Sequence, residues 1–396
     1  MRHLLFLPAL LCLGQLKAQF NVVHTGASGT SLEDIHFPTA GTGYAAGKNG
    51  AVYKSTDGGA NWSALSTGSG AWLFGVHFVD ANLGFASGSA ATVLRTVDGG
   101  ANWTPLTLPF TECVYQVQAI TTDLIYAAGW GGYFFRSVNG GDDWVISSID
   151  PNWQGWVFGM HFSDALNGWV AEADGRIYRT TNGGIDWSER NTTTGNTLRG
   201  ISMGDASTGY AAGFFGTVQK TIDGGANWVT VSTGYPGDSY YGAHFTDEDN
   251  GVICGGYYAS GMWNGVIMRT SNGGQTWQRV HSGGQVLNGI TVNNGSIFAV
   301  GVNEVVLSNL VVTGVSEIGP ADRLELFPNP ASGTVTVVAP AGSTIAIHDA
   351  TGRVVHAGTA TSVLQSMDVG SWAPGSYVVT ASSASMIAKS VLIVAH

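Results

Sequence analysis

Apolar residues fall in short runs of about five, separated by glycine-rich or polar turns. Leu32 to Phe37, Leu73 to Phe78, Val157 to Phe162, Leu198 to Met203 and Tyr241 to Phe245 are one such series. Each is followed by a second run, such as Gly43-Tyr-Ala-Ala-Gly47 or Gly209-Tyr-Ala-Ala-Gly213, and a third, such as Ala51-Val-Tyr-Lys54. Runs this short, rich in β-branched and aromatic residues and bounded by glycine, predict strands, because a helix needs ten or more residues of 3.6-residue periodicity. The third run always enters the same turn. Ser55-Thr-Asp-Gly-Gly-Ala-Asn-Trp62 returns as Thr96 to Trp103, Ser137 to Trp144, Thr180 to Trp187, Thr221 to Trp228 and Thr270 to Trp277. Successive copies start 41, 41, 43, 41 and 49 residues apart. A period near 40 with about four strands per unit predicts a β-propeller.

A seventh unit, Leu287 to Leu310, carries Ser308-Asn309 in place of the turn and lacks a fourth strand. Phe20-Asn-Val-Val-His-Thr-Gly26 resembles Trp62-Ser-Ala-Leu-Ser-Thr-Gly68, so the N-terminal strand is expected to complete the last blade. The expected fold is therefore all-β: a seven-bladed propeller closed by its N-terminal strand, over residues 19–310. A linker at 311–322 and a small C-terminal β-sandwich at 323–396 follow.

Composition agrees. Glycine supplies 58 of 396 residues and charged residues only 11%, which excludes coiled coils and helical bundles. The net charge of -11 argues against nucleic-acid or anionic-lipid partners, which need clustered Lys and Arg. Arg2 and His3, the apolar run Leu4 to Leu13 and Ala18 have the form of a secretory signal peptide, residues 1–18. No segment is long and apolar enough to span a membrane. Cys113 and Cys254 fall in distant blades and are expected to be free, buried thiols.

The recurring turn resembles the Asp-box, or BNR, hairpin of sialidases, sortilin ectodomains and xyloglucanase-type glycosidases. The Gly-Gly form, preceded by Gly-Tyr-Ala-Ala-Gly, is most similar to photosystem II assembly factor propellers and their secreted bacterial relatives. The box positions Asp57, Asp98, Asn139, Asn182, Asp223 and Asn272 are expected to be structural. Half are amides, and one carboxylate per turn is far from the six to eight oxygens calcium takes, so no metal and no cofactor is expected. The basic residues ahead of the box (Lys54, Arg95, Arg136, Arg179, Lys220, Arg269) are expected to pair locally. His36, His77, His161 and His244 are expected to serve packing or local hydrogen bonds.

The box turns mark one face as scaffold, so the loops of the opposite face are the candidate working surface. They carry Trp72, Phe110, Trp130, Trp153, Trp156, Phe214, Phe215, Tyr235, Tyr240, Tyr241, Tyr257, Tyr258 and Trp263. Exposed aromatics stack on sugars and anchor protein partners. The candidate ligand-binding set is Trp72, Trp130, Trp153, Trp156, Phe214, Tyr240, Tyr257, Tyr258, Trp263 and Arg176. The sixth blade's second-to-third loop, Gly256 to Asn264, is about eight residues longer than its siblings, which marks a working face. Glu172 stands where the other blades have Gly47, Gly88, Gly129, Gly213, Gly255 and Gly301. With Asp174 or Asp238 it is the candidate acid of a hydrolase. Glu112, Asp150 and Glu304 are further carboxylates of that face.

The tail carries Phe327-Pro-Asn-Pro330, the turn Asp349-Ala-Thr-Gly-Arg353, Gly375-Ser-Tyr-Val-Val379 and a last strand with Lys389. It resembles the type A sorting domain of the type IX secretion system. That implies passage through the periplasm, recognition by the secretion machinery, and release outside or display on the cell surface. The sequence thus favours a monomeric, non-catalytic propeller that binds a glycan or a surface protein. An Asp-box glycoside hydrolase and an assembly or adhesion factor remain as alternatives.

Overall fold

The computed structural model describes residues 20–26, 29–152, 155–310, 324–339, 342–349, 353–383 and 386–395. The expected signal peptide, Trp153 and the linker at 311–322 lie outside them. The chain forms two compact units, Met1–Val311 and Val312–His396.

Among the described residues, the first unit contains seven four-stranded antiparallel sheets. Six take their strands in chain order, as in Leu32–His36, Gly43–Gly47, Val52–Ser55 and Ser63–Leu65. In the seventh, Asn21–His24 pairs with Val305–Ser308, Val22 opposite Leu307. First strands of successive sheets lie side by side, and Leu287–Asn293 of the seventh lies beside Leu32–His36 of the first.

Each box is a self-contained hydrogen-bonded turn. The Ser55 hydroxyl accepts from the Gly59 amide (2.8 Å). Asp57 accepts from the Asn61 backbone (2.9 Å) and from its side-chain amide (2.7 Å). Gly58 and Gly59 have φ of 72° and 95°, and a Cβ on Gly59 would lie 2.3 Å from the Phe298 ring, so only glycine fits. In two of the three boxes with an amide at the third position the seventh supplies the acid, and in the other Asn272 donates to the Thr276 hydroxyl (2.9 Å). Asn139 donates to Asp143 (2.8 Å) and Asn182 to Asp186 (2.9 Å). One partner must donate and the other accept, which explains why Asp and Asn exchange freely here. Asn61→Asp alone faces two acceptors and should lower stability by about 1 kcal/mol. Adding Asp57→Asn should restore the wild-type melting temperature, and additive losses in that double-mutant cycle would refute the pairing.

Neighbouring sheets are locked by the second strand. Tyr44 stacks on Phe78 of the next sheet (centroids 3.5 Å, 6° between planes) and donates to the Ala81 carbonyl (2.8 Å). Tyr126 and Tyr210 repeat this against Phe162 and Phe245. Three of the six basic residues ahead of the boxes do not pair locally as expected. Lys54 reaches the Gly99 carbonyl (2.9 Å), Arg95 that of Gly140 (2.9 Å) and Lys220 that of Gly273 (2.6 Å), each in the box of the following sheet.

The sixth sheet's expected long loop is a correction too. Asn250–Ala259 and Met262–Ser271 form one long hairpin, with Tyr258 opposite Trp263. Ser260 and Gly261, at φ 53° and 83°, supply the two positive-φ positions of its tight turn.

The second unit has a three-stranded sheet (Glu325–Phe327, Thr334–Val338, Leu364–Asp368) and a four-stranded one. Val335, Val337, Ile345, Ile347, Val379 and Leu392 form its core.

Candidate functional site

The first strands surround a cavity of about 310 Å³. Every one of them is irregular at its start. The register against the second strand shifts after Leu32, Leu73, Val114, Val157, Leu198, Tyr240 and Leu287. The extra residue of each bulge is Glu33, Phe74, Tyr115, Phe158, Arg199, Tyr241 or Asn288. First strands begin at the end opposite the box turns, so these seven residues sit at the cavity mouth on the variable-loop face. A bulge re-aims a side chain, and here it does so seven times at one level.

The mouth residues join the loop aromatics in a continuous arc. Trp130 stacks on Trp156 (4.7 Å, 27°), and Trp156 meets Phe158 edge-on (5.9 Å). Phe158, Tyr115, Phe74 and Trp72 follow at 5.1, 5.1 and 5.2 Å. Trp72, Trp130 and Trp156 are each about two-fifths exposed. On the far side of Phe158, the Arg199 guanidinium lies 4.5 Å from that ring and 5.3 Å from Tyr241. Tyr241 continues to Phe214 (5.8 Å). The Trp72 indole donates to Glu33 (3.0 Å), whose carboxylate also accepts from Ser31.

Deeper in the cavity is a row of polar side chains that tie sheet to sheet. His36 Nδ1 accepts from the Phe78 amide (3.2 Å), and His77 Nδ1 from Ala119 (3.3 Å). Gln118 accepts from Phe162 (2.8 Å), and Ser202 from Phe245 (3.0 Å). His36 and His77 stack at 4.2 Å. Burial holds His77, His161 and His244 down to about 4 and His36 well below the usual range. All four histidines line the cavity, and the bonds of His36 and His77 run to the next sheet and not locally. Asp34, accepting from the Ile35 and Val76 amides, is pushed up by burial to about 6. Among the described residues no group of three or more His, Cys, Asp or Glu is placed to hold a metal ion.

Of the expected ligand-binding residues, Trp72, Trp130, Trp156 and Phe214 belong to the arc. Tyr257, Tyr258 and Trp263 lie on the sixth sheet's hairpin, where Tyr258 and Trp263 are exposed and paired (5.8 Å). Tyr240 is a correction: it is fully buried, with its hydroxyl on Thr233 (2.9 Å), so it is a core residue. Arg176 sits in a carboxylate cluster, with Asp174 at 2.9 Å and Asp150 and Glu189 at 3.8 Å.

Of the candidate acids, Glu172 and Asp174 lie near one another in the fourth sheet, and Asp238 stands apart in the sixth. Glu172 is 1% exposed, and burial, reinforced by Asp174, pushes its carboxyl up to about 8. Asp238 is buried against Arg279, which also lies 3.9 Å over Tyr235 and 4.7 Å over Tyr257. Cys113 and Cys254 are free; Cys254 is buried and Cys113 partly so. Phe74, Tyr115, Phe158 and Arg199 were missed as site residues. Their signal was one variable column of large side chains directly after the first apolar residue of each repeat.

Repeated four-stranded sheets, boxes on one face and an aromatic cavity mouth on the other define an Asp-box β-propeller, followed in the chain by a separate β-domain. The chain belongs to the photosynthesis system II assembly factor YCF48 family, whose model matches residues 61–190 and 148–303. Residues 325–395 match a secretion system C-terminal sorting domain. That tail directs the protein to the cell surface or the outside by type IX export, and no helix among the described residues is long and apolar enough to cross a membrane. A search of curated proteins finds no match.

Among solved structures, YCF48 bound to D1 peptide is similar at 19% identity and a TM-score of 0.61, over 73% of this chain and 94% of that one. YCF48 from Cyanidioschyzon merolae matches at 19% and 0.61, over 73% and 98%. The GH74 xyloglucanase from Xanthomonas campestris matches at 14% and 0.60, over 81% of this chain and 59% of that one. At these identities the likeness concerns the fold.

Proposed function

We propose that the propeller is a non-catalytic binding module that holds a polysaccharide along the aromatic arc, outside the cell. The observation that carries this is the unbroken series Trp130–Trp156–Phe158–Tyr115–Phe74–Trp72 at the mouth of a cavity. Ring faces stack against the C–H faces of sugars, and large rigid rings contribute contact area at small entropic cost. A contiguous apolar patch left in water on a secreted protein marks an interaction surface.

The acids support the non-catalytic side of the reading. Glycoside hydrolysis uses two carboxyl groups roughly 5 to 10 Å apart on either side of the scissile bond, in contact with substrate. Glu172 is sealed from solvent, Asp238 is neutralised by Arg279, and Asp174 is paired with Arg176. A protein partner is the competing occupant, since the YCF48 of similar fold was solved with a peptide.

A glycan array with the mature chain tests the proposal. Trp156→Ala and Trp72→Ala should each weaken binding about tenfold or more, equivalent to roughly 1.4 kcal/mol. Trp263→Ala, on the separate hairpin, should change it little. An array without hits, or hits indifferent to both arc variants, would overturn the reading. Release of reducing sugar would overturn its non-catalytic part.

A further inference from the structure

Arg199 is the one cation among the seven mouth residues. Its guanidinium is held between the faces of Phe158 and Tyr241, at 4.5 and 5.3 Å. Among the described residues it makes no hydrogen bond and no ion pair. Lys54, Arg95, Arg176, Lys220 and Arg279, by contrast, each reach a carbonyl or carboxylate. The carboxylate it feels electrostatically, Glu33, is already engaged by Ser31 and by the Trp72 indole. Five N–H donors fixed in a plane by two rings, facing a cavity, are a fork without an acceptor.

From this we infer that the ligand held on the arc is acidic, that Arg199 receives its carboxylate, and that the ligand is therefore a uronic-acid oligosaccharide or polysaccharide. This rests on the polysaccharide reading above. Three features converge on that chemistry. The planar guanidinium matches a carboxylate bidentately. The flanking rings offer the apolar faces that a sugar ring needs. Glu33, in a different sheet from Arg199 at the same mouth, offers an acceptor for sugar hydroxyls. A cavity of about 310 Å³ lies at the small end of ligand sites, which suits one inserted sugar residue with the rest of the chain along the arc. Lys48, 5.4 Å over Trp72, adds a second cation at the Trp72 end of the arc. On a protein of net charge -11, two cations set against one aromatic arc favour an acidic ligand.

The test pairs each uronic-acid oligosaccharide in a panel (galacturonate, glucuronate, mannuronate and guluronate) with its carboxyl-reduced, neutral counterpart of the same linkage. Binding to the mature full-length chain is measured by calorimetry. An acidic member should bind at least tenfold more tightly than its reduced form. Arg199→Met keeps the stem between Phe158 and Tyr241 and should lower the acidic form to the level of the reduced one, leaving the reduced form unchanged. Arg199→Lys should retain part of the preference, and thermal melting confirms that both variants fold. Equal binding of acidic and reduced forms, still lost in Trp156→Ala, would overturn the acidic assignment and leave the polysaccharide reading standing. No binding of either form would overturn both. Arg199-dependent capture of an acidic peptide, with no sugar bound, would overturn the uronate assignment.

Discussion

Lowering the pH from 6.5 to about 4 is expected to destabilise the propeller unit by roughly 5 kcal/mol, a large part of a domain's whole stability. The cause is the histidine row of the cavity. His77, His161 and His244 hold folded-state pKa values of about 4, and His36 lies well below its usual value, because burial penalises the charged ring and the neighbouring histidines repel one another. An unfolded chain protonates all four near pH 6.5. Between the two values the unfolded state binds more protons, so stability falls as pH falls. Asp34 and Glu172 work against this, since the folded state keeps protons there that the unfolded chain has already released. About two protons net over about two pH units, at roughly 1.4 kcal/mol each per unit, give the quoted size.

His77→Gln is the decisive variant. Gln118 occupies the same place in the third sheet and both accepts from the Phe162 amide and donates to its carbonyl, at 2.8 Å each. Glutamine should thus keep the link between sheets and remove one titrating group. Melting temperature against pH should be flatter in this variant below pH 6.5. An unchanged slope would show that the row does not control the acid limb.

Glu172→Gln is expected to stabilise the protein at pH 9 by roughly 2 to 4 kcal/mol and to change little at pH 4.5. The Glu172 carboxyl is raised to about 8, first by burial and then by Asp174, with Arg176 pulling the other way. Its Oε2 has no hydrogen-bond partner. A raised pKa means that the neutral carboxyl costs nothing extra below its unfolded value near 4.5. Stability is then lost progressively as pH rises through about 8, where the buried group must ionise. Glutamine has the same size and no charge to bury. Equal effects of the substitution at pH 4.5 and 9 would mean that the carboxyl is not the group responsible. The siblings show what is unusual here. A Cβ at Gly47 would lie 2.0 Å from the Ser31 carbonyl oxygen and one at Gly255 1.9 Å from that of Ser239, so those sites exclude any side chain.

Much of the architecture was legible because its causes are local. The box needs Ser or Thr, a third and a seventh residue that hydrogen-bond to each other, two positive-φ glycines and a tryptophan, all within eight residues. The kinship of Phe20–Gly26 with Trp62–Gly68 was also readable, and that segment does pair with Val305–Ser308. Parity in the first strands was not readable. Alternation assigns every second residue to one side, but each of these strands begins with a bulge, and one inserted residue reverses the assignment upstream of it. That is why Tyr240, expected on the surface, is core while its neighbour Tyr241 reaches the mouth. The cross-sheet reach of Lys54, Arg95 and Lys220 was hidden for a related reason. The period shows that the boxes repeat but not that one blade's cation seats in the next blade's turn.

The amino-acid sequence by itself determined the strands, the turns, the repeat and the sorting tail, because each is written in residues a few positions apart. Only the tertiary structure decided the site. Seven bulge residues, each about forty positions from the next, meet at one mouth because the first strands of the sheets stand side by side. That juxtaposition places Arg199 between two rings and opens it to the cavity. Nothing in the local spacing of Leu198-Arg-Gly200 carries it, since the partners come from other sheets.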